Sequence, residues 1–211
     1  MNKIFEKLFG DYPKLSVAKN EIILADEEII SCYKNGGKLL VCGNGGSASD
    51  SEHIVGELMK GFNLQRRLSD SEKSQFDGLL DGEMIAGGLQ KSLRAISLVS
   101  QTGLMTAFMN DCNPELVFAQ QVYGYADPGD VLIALSTSGN SKNVVYAAET
   151  ARAVGCRVIA ITGDRESRLS EIAHVCIRLP AHTPYEVQEF TLPVYHALCA
   201  SAEEQFFGES S

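Results

Sequence analysis

The stretch GNGGSASDSEHIVGE, residues 43–57, sets two kinds of chemistry side by side. Asn44, Gly45, Gly46 and Ser47 bring small side chains, a hydroxyl and free backbone N–H groups directly after the apolar run KLLVC. That is the pattern of a turn leading from a strand into a helix, where N–H groups and the helix dipole hold an anion. His53 and Glu57 follow at i,i+4 spacing, so on a helix they project from one face. Taken alone, such a pair is most often two exposed neighbours; beyond an anion loop it becomes a candidate for acid–base work. A second loop, STSGNS at 136–141, stands between VLIAL and NVVYAAETARAVG. Ser136, Thr137, Ser138 and Ser141 place four hydroxyls in six residues, more than the capping of one helix requires. Neither loop matches GxxxxGK[ST], and the first lacks the GxGxxG spacing, which disfavours a nucleotide ligand.

Further ionisable or amide groups lie towards the C-terminus. Gln188 and His196 share the final helical segment, about 185–206. Eight residues of straight helix separate them by about 12 Å along the axis. Pro193 lies between them and predicts a kink or a new helix start. His182, in the loop PAHTP, is either a bystander or a substrate contact, and His174, opening a strand, reads as structural.

The elements that must position these groups follow from the apolar pattern. Residues 13–35 carry Leu15, Ile22, Ile23, Ile29, Ile30 and Tyr33 at helical spacing and stop at Gly36–Gly37. Short continuous apolar runs at 38–42, 95–99, 131–135, 157–162 and 174–178 predict five strands. Helical patterns fall at about 101–109, 115–124, 141–154 and 166–173. Strands without polar alternation, separated by helices, signify a mainly parallel sheet buried on both faces. Right-handed crossovers then give an α/β, three-layer, doubly wound domain of flavodoxin-like kind, here a single one over 1–211. Residues 62–94 break the rhythm. They are too long for a plain connection and predict an excursion with its own helix, capped by the box Ser69-Asp-Ser-Glu72, acting as a lid, a subunit contact or a neutral insertion.

Bulk properties narrow the partners. A net charge of −9 argues against nucleic acid or an anionic membrane surface, while leaving room for an anionic small molecule at a local cluster of donors. No apolar run approaches the about 20 residues of a membrane span, and the N-terminus has no signal-peptide pattern. Six cysteines without CxxC spacing, most in apolar runs, read as reduced core residues of a cytoplasmic protein.

The combination of GNGGS, STSGNS and His53-x-x-x-Glu57 resembles the SIS (sugar isomerase) domain family from about Gly37 to Phe207. With Gln188-x₇-His196 added, the chain looks like the phosphoheptose isomerases, which act on sedoheptulose 7-phosphate. The resemblance implies that Ser136, Thr137, Ser138 and Ser141 bind phosphate, and that Asn44, Gly45, Gly46, Ser47, Gln188 and Asn110-Asp111 of an MND turn contact the sugar. It implies Glu57 and His196 as the acid–base pair, and His53, Glu57, Gln188 and His196 as ligands of Zn²⁺, with no nucleotide or redox cofactor. It further implies a homotetramer with active sites at subunit interfaces. Isomerisation of another phosphosugar, or a non-catalytic SIS module that binds a partner, shares the loops but not the four-residue set. Tyr185 stands where these isomerases often carry aspartate, and the 62–94 excursion replaces a shorter connection.

Overall fold

A computed structural model describes residues 2–208. In chain order the helices and strands are α1 (Lys3–Asp11), a 3₁₀ turn (Pro13–Ala18), α2 (Lys19–Lys34), β1 (Leu39–Cys42), α3 (Gly46–Met59), α4 (Asp70–Lys73) and α5 (Gly82–Gly88). There follow β2 (Ala95–Ser97), α6 (Thr102–Asp111), α7 (Val117–Tyr125), β3 (Val131–Leu135), α8 (Lys142–Ala153), β4 (Arg157–Thr162), α9 (Arg168–Ile172), β5 (Val175–Arg178) and α10 (Pro184–Phe207).

The five strands form one sheet, ordered β2-β1-β3-β4-β5, with every pairing parallel. Successive side chains of a strand point to opposite faces, so β1 gives Leu39 and Val41 to one core and Leu40 and Cys42 to the other. The first core is closed by α1, α2, α3 and α10, through residues such as Phe5, Ile22, Ile29, Ile54, Leu58, Val194 and Leu198. The second is closed by α7, α8 and α9, through Phe118, Val122, Val144, Ala148 and Leu169. The three layers expected from the unbroken apolar strands are thus present, and burial on both faces explains the missing polar alternation.

Several boundaries differ from the periodicity. The 13–35 segment is a 3₁₀ turn followed by α2, because Pro13 supplies no N–H at the start and the regular ladder begins only at Lys19. An additional N-terminal helix, α1, has Asn2 as its cap, accepting from the Ile4 N–H at 2.9 Å. Helix α10 runs through Pro193 as one element, neither ending nor restarting there. The MND residues Asn110 and Asp111 are the last turn of α6, not a loop.

The excursion between α3 and β2 carries α4 and α5. The Ser69–Glu72 capping box forms, with the Glu72 carboxylate accepting from the Ser69 N–H at 2.7 Å. Its root is held by a buried charge pair. Arg66 and Glu203 of α10 meet at 2.7 Å with side chains 0% and 1% exposed. Glu203 also accepts from the N–H groups of Phe62, Asn63 and Leu64, while Arg66 donates to the carbonyls of Leu58 and Glu57 at the end of α3. One pair therefore ties excursion, α3 and α10 together. Burial works to raise the Glu203 carboxyl, but these N–H donors and Arg66 together hold it below the usual glutamate value.

Removing one partner of a buried, hydrogen-bonded pair leaves an uncompensated charge. Arg66→Met is therefore expected to lower stability by about 3–5 kcal/mol, read from the urea midpoint. Because the folded-state pKa of Glu203 is depressed, its stabilisation is present above the unfolded value, about 4.3, and is lost as pH falls through the folded one. The wild-type chain should lose stability on acidification over that window more steeply than Glu203→Gln does.

Candidate active site

In a sheet of order 2-1-3-4-5 the order in which strands are added reverses between β1 and β3, and ligands of such folds bind outside the carboxyl ends of the strands at that crevice. Both loops singled out by residue type open there. The first turns from β1 into α3 through Gly45, whose φ of +58° is a conformation glycine adopts without penalty. The second joins β3 to α8, with Ser141 at the N-cap position. The two are stapled together. Asn44 and Asn143 exchange reciprocal amide hydrogen bonds, each 2.9 Å. Asn143, in the first turn of α8, is a partner that loop composition gave no reason to select.

The Ser141 side chain does not cap α8. Its Oγ instead accepts from Ser136 Oγ at 3.1 Å, so the hydroxyls face one another inside the loop. Thr137 and Ser138, with Asn140, line a cavity of about 180 Å³ whose other wall is Gly163, Asp164, Arg165, Glu166, Ala181 and His182. His182 is fixed there by Asp164, Nδ1 to Oδ1 at 2.7 Å. His174 closes the β4–β5 edge, its Nδ1 accepting from the Val158 N–H at 2.8 Å, a structural role.

Helix α3 presents His53 and Glu57 on one face, with His53 Nε2 3.1 Å from Glu57 Oε1. Helix α10 brings His196 against them, Nε2 to Nε2 of His53 at 3.5 Å. Lys60 reaches the other carboxylate oxygen of Glu57 at 3.2 Å. Burial and the neighbouring His53 push the His196 imidazole below its ordinary range, opposed by Glu57, which favours its protonated form. Behind His53 lies Tyr195, 2% exposed, whose hydroxyl is 2.8 Å from His53 Nδ1 and 3.4 Å from Asp50 Oδ1. Burial and Asp50 raise the Tyr195 phenol above its ordinary range, and burial raises the Asp50 carboxyl, opposed by Tyr195 and His53.

Gln188 is placed elsewhere on α10. It packs on the first loop, and a Cβ added at Gly46 would stand 2.6 Å from its Nε2. The structure thus gathers His53, Glu57 and His196, joins Gln188 to Gly46, and pairs Asn44 with the second loop. It leaves Asn110 and Asp111 at the exposed end of α6, bonded to each other at 2.8 Å. Tyr195 and Asp50 are additions. Asp50 precedes His53 by one helical turn, a spacing that would have flagged it, whereas Tyr195 reads as an ordinary apolar position of α10.

The donor set is of a kind that binds zinc, and two separations suit it. Ligands about 2.0–2.1 Å from a tetrahedral ion lie about 3.3–3.4 Å apart, close to the 3.1 and 3.5 Å found around His53 Nε2. Among the described residues, however, no three His, Cys, Asp or Glu side chains stand ready as a complete site. Gln188 lies against the first loop at Gly46.

Comparison with known proteins gives this arrangement its family. The SIS domain model matches residues 15–80 and 85–163. A phosphoheptose isomerase of Nitratiruptor sp. is 36% identical over 97% of this chain and 93% of its own. One from Akkermansia muciniphila is 36% identical over 83% of this chain and 80% of its own. Among solved structures, the phosphoheptose isomerase of Francisella tularensis superimposes with a TM-score of 0.73 at 27% identity, covering 96% of both chains. That of Neisseria gonorrhoeae gives 0.71 at 28%, covering 95% of this chain and 98% of its own. The chain belongs to the SIS-domain family, among the phosphoheptose isomerases.

Because the atom that a Cβ at position 46 would meet is the free end of a flexible side chain, Gly46→Ala should displace Gln188 without unfolding the helix start. Stability is expected to change by no more than about 1 kcal/mol, while the Gln188 side-chain amide resonances move. Unchanged amide resonances would refute the packing described.

Proposed function

We propose that this protein is an aldose–ketose isomerase that converts D-sedoheptulose 7-phosphate to D-glycero-D-manno-heptose 7-phosphate. The observation that carries the reading is the meeting of Glu57 and His196 around His53, beside two anion-type loops stapled at the switch point. The kinship with phosphoheptose isomerases supplies the substrate.

Isomerisation requires a proton to leave C1 of the ketose and one to arrive at C2, with O1 and O2 exchanging a proton through an enediolate. Ser136, Thr137, Ser138 and Ser141 bind the 7-phosphate, aided by the α8 N-terminus. Binding this remote, unreactive group fixes C1 and C2 in the site and contributes to the rate through positioning. Asn44, Gly45, Gly46, Ser47 and Gln188 hold sugar hydroxyls. Glu57 takes the C1 proton as the C1=C2 bond forms. His196 protonates O2 and receives the proton of O1, and return of the carbon-bound proton at C2 leaves an aldehyde at C1. The lowered basicity of His196 suits a group that must both give and take. Asn110 and Asp111 would serve only if a ligand or a second subunit brings the end of α6 over the site.

His53, Glu57 and His196, completed by Gln188, are the side chains that would hold Zn²⁺, which when bound supplies positive charge to the enediolate oxygens. A homotetramer with sites at subunit interfaces agrees with the exposed apolar groups Leu79, Leu80, Met84 and Leu89 of the excursion. It agrees also with the apolar groove of Ile4, Leu8, Phe62, Leu192 and Pro193 that runs up to His196. A reaction on a phosphorylated metabolite fits the cytoplasm, and no helix among the described residues is long and apolar enough to cross a membrane.

Glu57→Gln is expected to keep the fold and sugar-phosphate binding while lowering turnover by about 10²–10⁴-fold, followed by ketose-to-aldose conversion. Near-normal activity in that variant would sink the assignment. Solvent deuterium should enter the sugar at C2 with the wild-type chain, and a pure binding module would give none. Dialysis against a chelator should remove bound zinc and most activity together, with added Zn²⁺ restoring both; turnover by a metal-free chain would overturn the metal reading.

A further inference from the structure

Residues 43–47 and 136–141, the loops that carry the sugar phosphate in the isomerase reading, contain no charged side chain. Hydroxyls, amides and a helix N-terminus can hold a phosphate. A monoester dianion in a chain of net charge −9 nevertheless gains from a full positive charge at close range. The basic residues beside these loops are already engaged. Lys38, before the first loop, pairs with Asp127 and Asp130 at 2.7 and 2.6 Å. Lys142, directly after the second, reaches Glu115 at 2.9 Å, and Arg168 donates to Glu149 at 2.7 Å. Arg165 is different. It lines the cavity whose opposite wall carries Thr137 and Ser138, and among the described residues its guanidinium has neither an ion pair nor a hydrogen bond. The carboxylate before it, Asp164, is taken up by His182 Nδ1 at 2.7 Å. Glu166, after it, borders both this cavity and the groove of Glu171 and Arg178.

The backbone that carries Arg165 is fixed against the second loop at both ends. On one side the Gly163 N–H donates to the Thr137 carbonyl at 3.0 Å, and a Cβ at Gly163 would stand 2.9 Å from that oxygen and 3.0 Å from the Ala181 carbonyl. On the other, the N–H groups of Arg168 and Leu169 donate to Asn140 Oδ1 at 3.0 Å and to the Gly139 carbonyl at 3.1 Å. Between these anchors Arg165 is exposed, so its guanidinium meets an anion without first breaking an ion pair. We propose that Arg165 is the cation of the phosphate site: from the β4–α9 loop it closes on the phosphate monoester held by Thr137 and Ser138, and it selects a phosphorylated sugar over a neutral one. The planar fork of donors on a guanidinium matches two phosphate oxygens at once. The charge comes from outside both loops, so the composition of neither loop gives a sign of it. The identity of the ligand rests on the isomerase reading above; the uncommitted cation facing two hydroxyls does not.

A graded series at position 165 tests this, read by calorimetric titration of the full chain with sedoheptulose 7-phosphate and, separately, with inorganic phosphate. Glu57→Gln, expected above to bind without turning over, is the background for the sugar phosphate, so that the ligand stays intact. Arg165→Gln should weaken both ligands about 10-fold, the low end for a bond between charged groups because the side chain is exposed. Arg165→Glu should weaken them further by repulsion, and Arg165→Lys, which keeps the charge but not the fork, should fall between Arg165→Gln and the parent. The urea midpoint should not move along the series, and turnover of sedoheptulose lacking the phosphate by the Glu57 chain should be the same in all four. A flat series overturns the proposal, as do equal losses in Arg165→Gln and Arg165→Glu, or a loss on unphosphorylated sedoheptulose as large as on the phosphate. Conversion of the sugar phosphate by the wild-type chain together with a flat series would refute the role of Arg165 alone. Graded binding without any conversion would refute the isomerase reading and leave Arg165 as the anion contact.

Discussion

The buried pair Arg66–Glu203 is the constraint on which the site depends. A carboxylate 1% exposed is tolerable only when its lone pairs are taken up, and Glu203 is supplied by three backbone N–H groups as well as the guanidinium. Arg66 in turn spends two of its donors on the carbonyls of Glu57 and Leu58. Those are orphan carbonyls of the last turn of α3, which a helix end always leaves unsatisfied. The charge pair thus terminates the helix that carries Glu57, anchors the helix that carries His196, and fixes the root of the excursion in one network. Together with the direct packing of α3 on α10 through Ile54, Leu58, Val194 and Leu198, this network holds the two helices that carry the acid–base candidates.

The sheet contributes the complementary half. Parallel strands buried on both faces leave their carboxyl ends as the one edge where polar chemistry can emerge, and the reversal between β1 and β3 opens a crevice there. Two glycine- and serine-rich loops reach that crevice, with Asn44, Ser138 and Asn140 exposed and the Ser136 and Ser141 hydroxyls turned towards each other. Their role as a cradle comes from adjacency in space, because β1 and β3 are neighbours although β2 intervenes in sequence.

Much of this was legible in the residue order. Continuous apolar runs gave the five strands, and the two hydroxyl-rich loops and His53–Glu57 stood out by composition. What stayed hidden was of two kinds. Boundaries governed by local hydrogen bonding, such as the 3₁₀ turn before α2 and the unbroken passage of α10 through Pro193, do not follow from hydrophobic period. Nor do contacts that only tertiary packing creates. Nothing in the surroundings of Tyr195 marks it as other than a core aromatic, since its hydroxyl acquires a partner from a helix about 140 residues away in sequence. The contact of Gln188 with Gly46 is likewise one that only tertiary packing creates.

The reciprocal amide pair between Asn44 and Asn143 bears on what kind of binding this crevice can offer. Each amide spends one N–H and one oxygen lone pair on the other, which leaves the exposed Asn44 a second N–H and a second lone pair, so a polar group reaching it can bond without opening the pair. A group that pushed between the two amides would leave both unpaired, so the staple holds the two loops at a fixed separation while Asn44 stays free to bond outward.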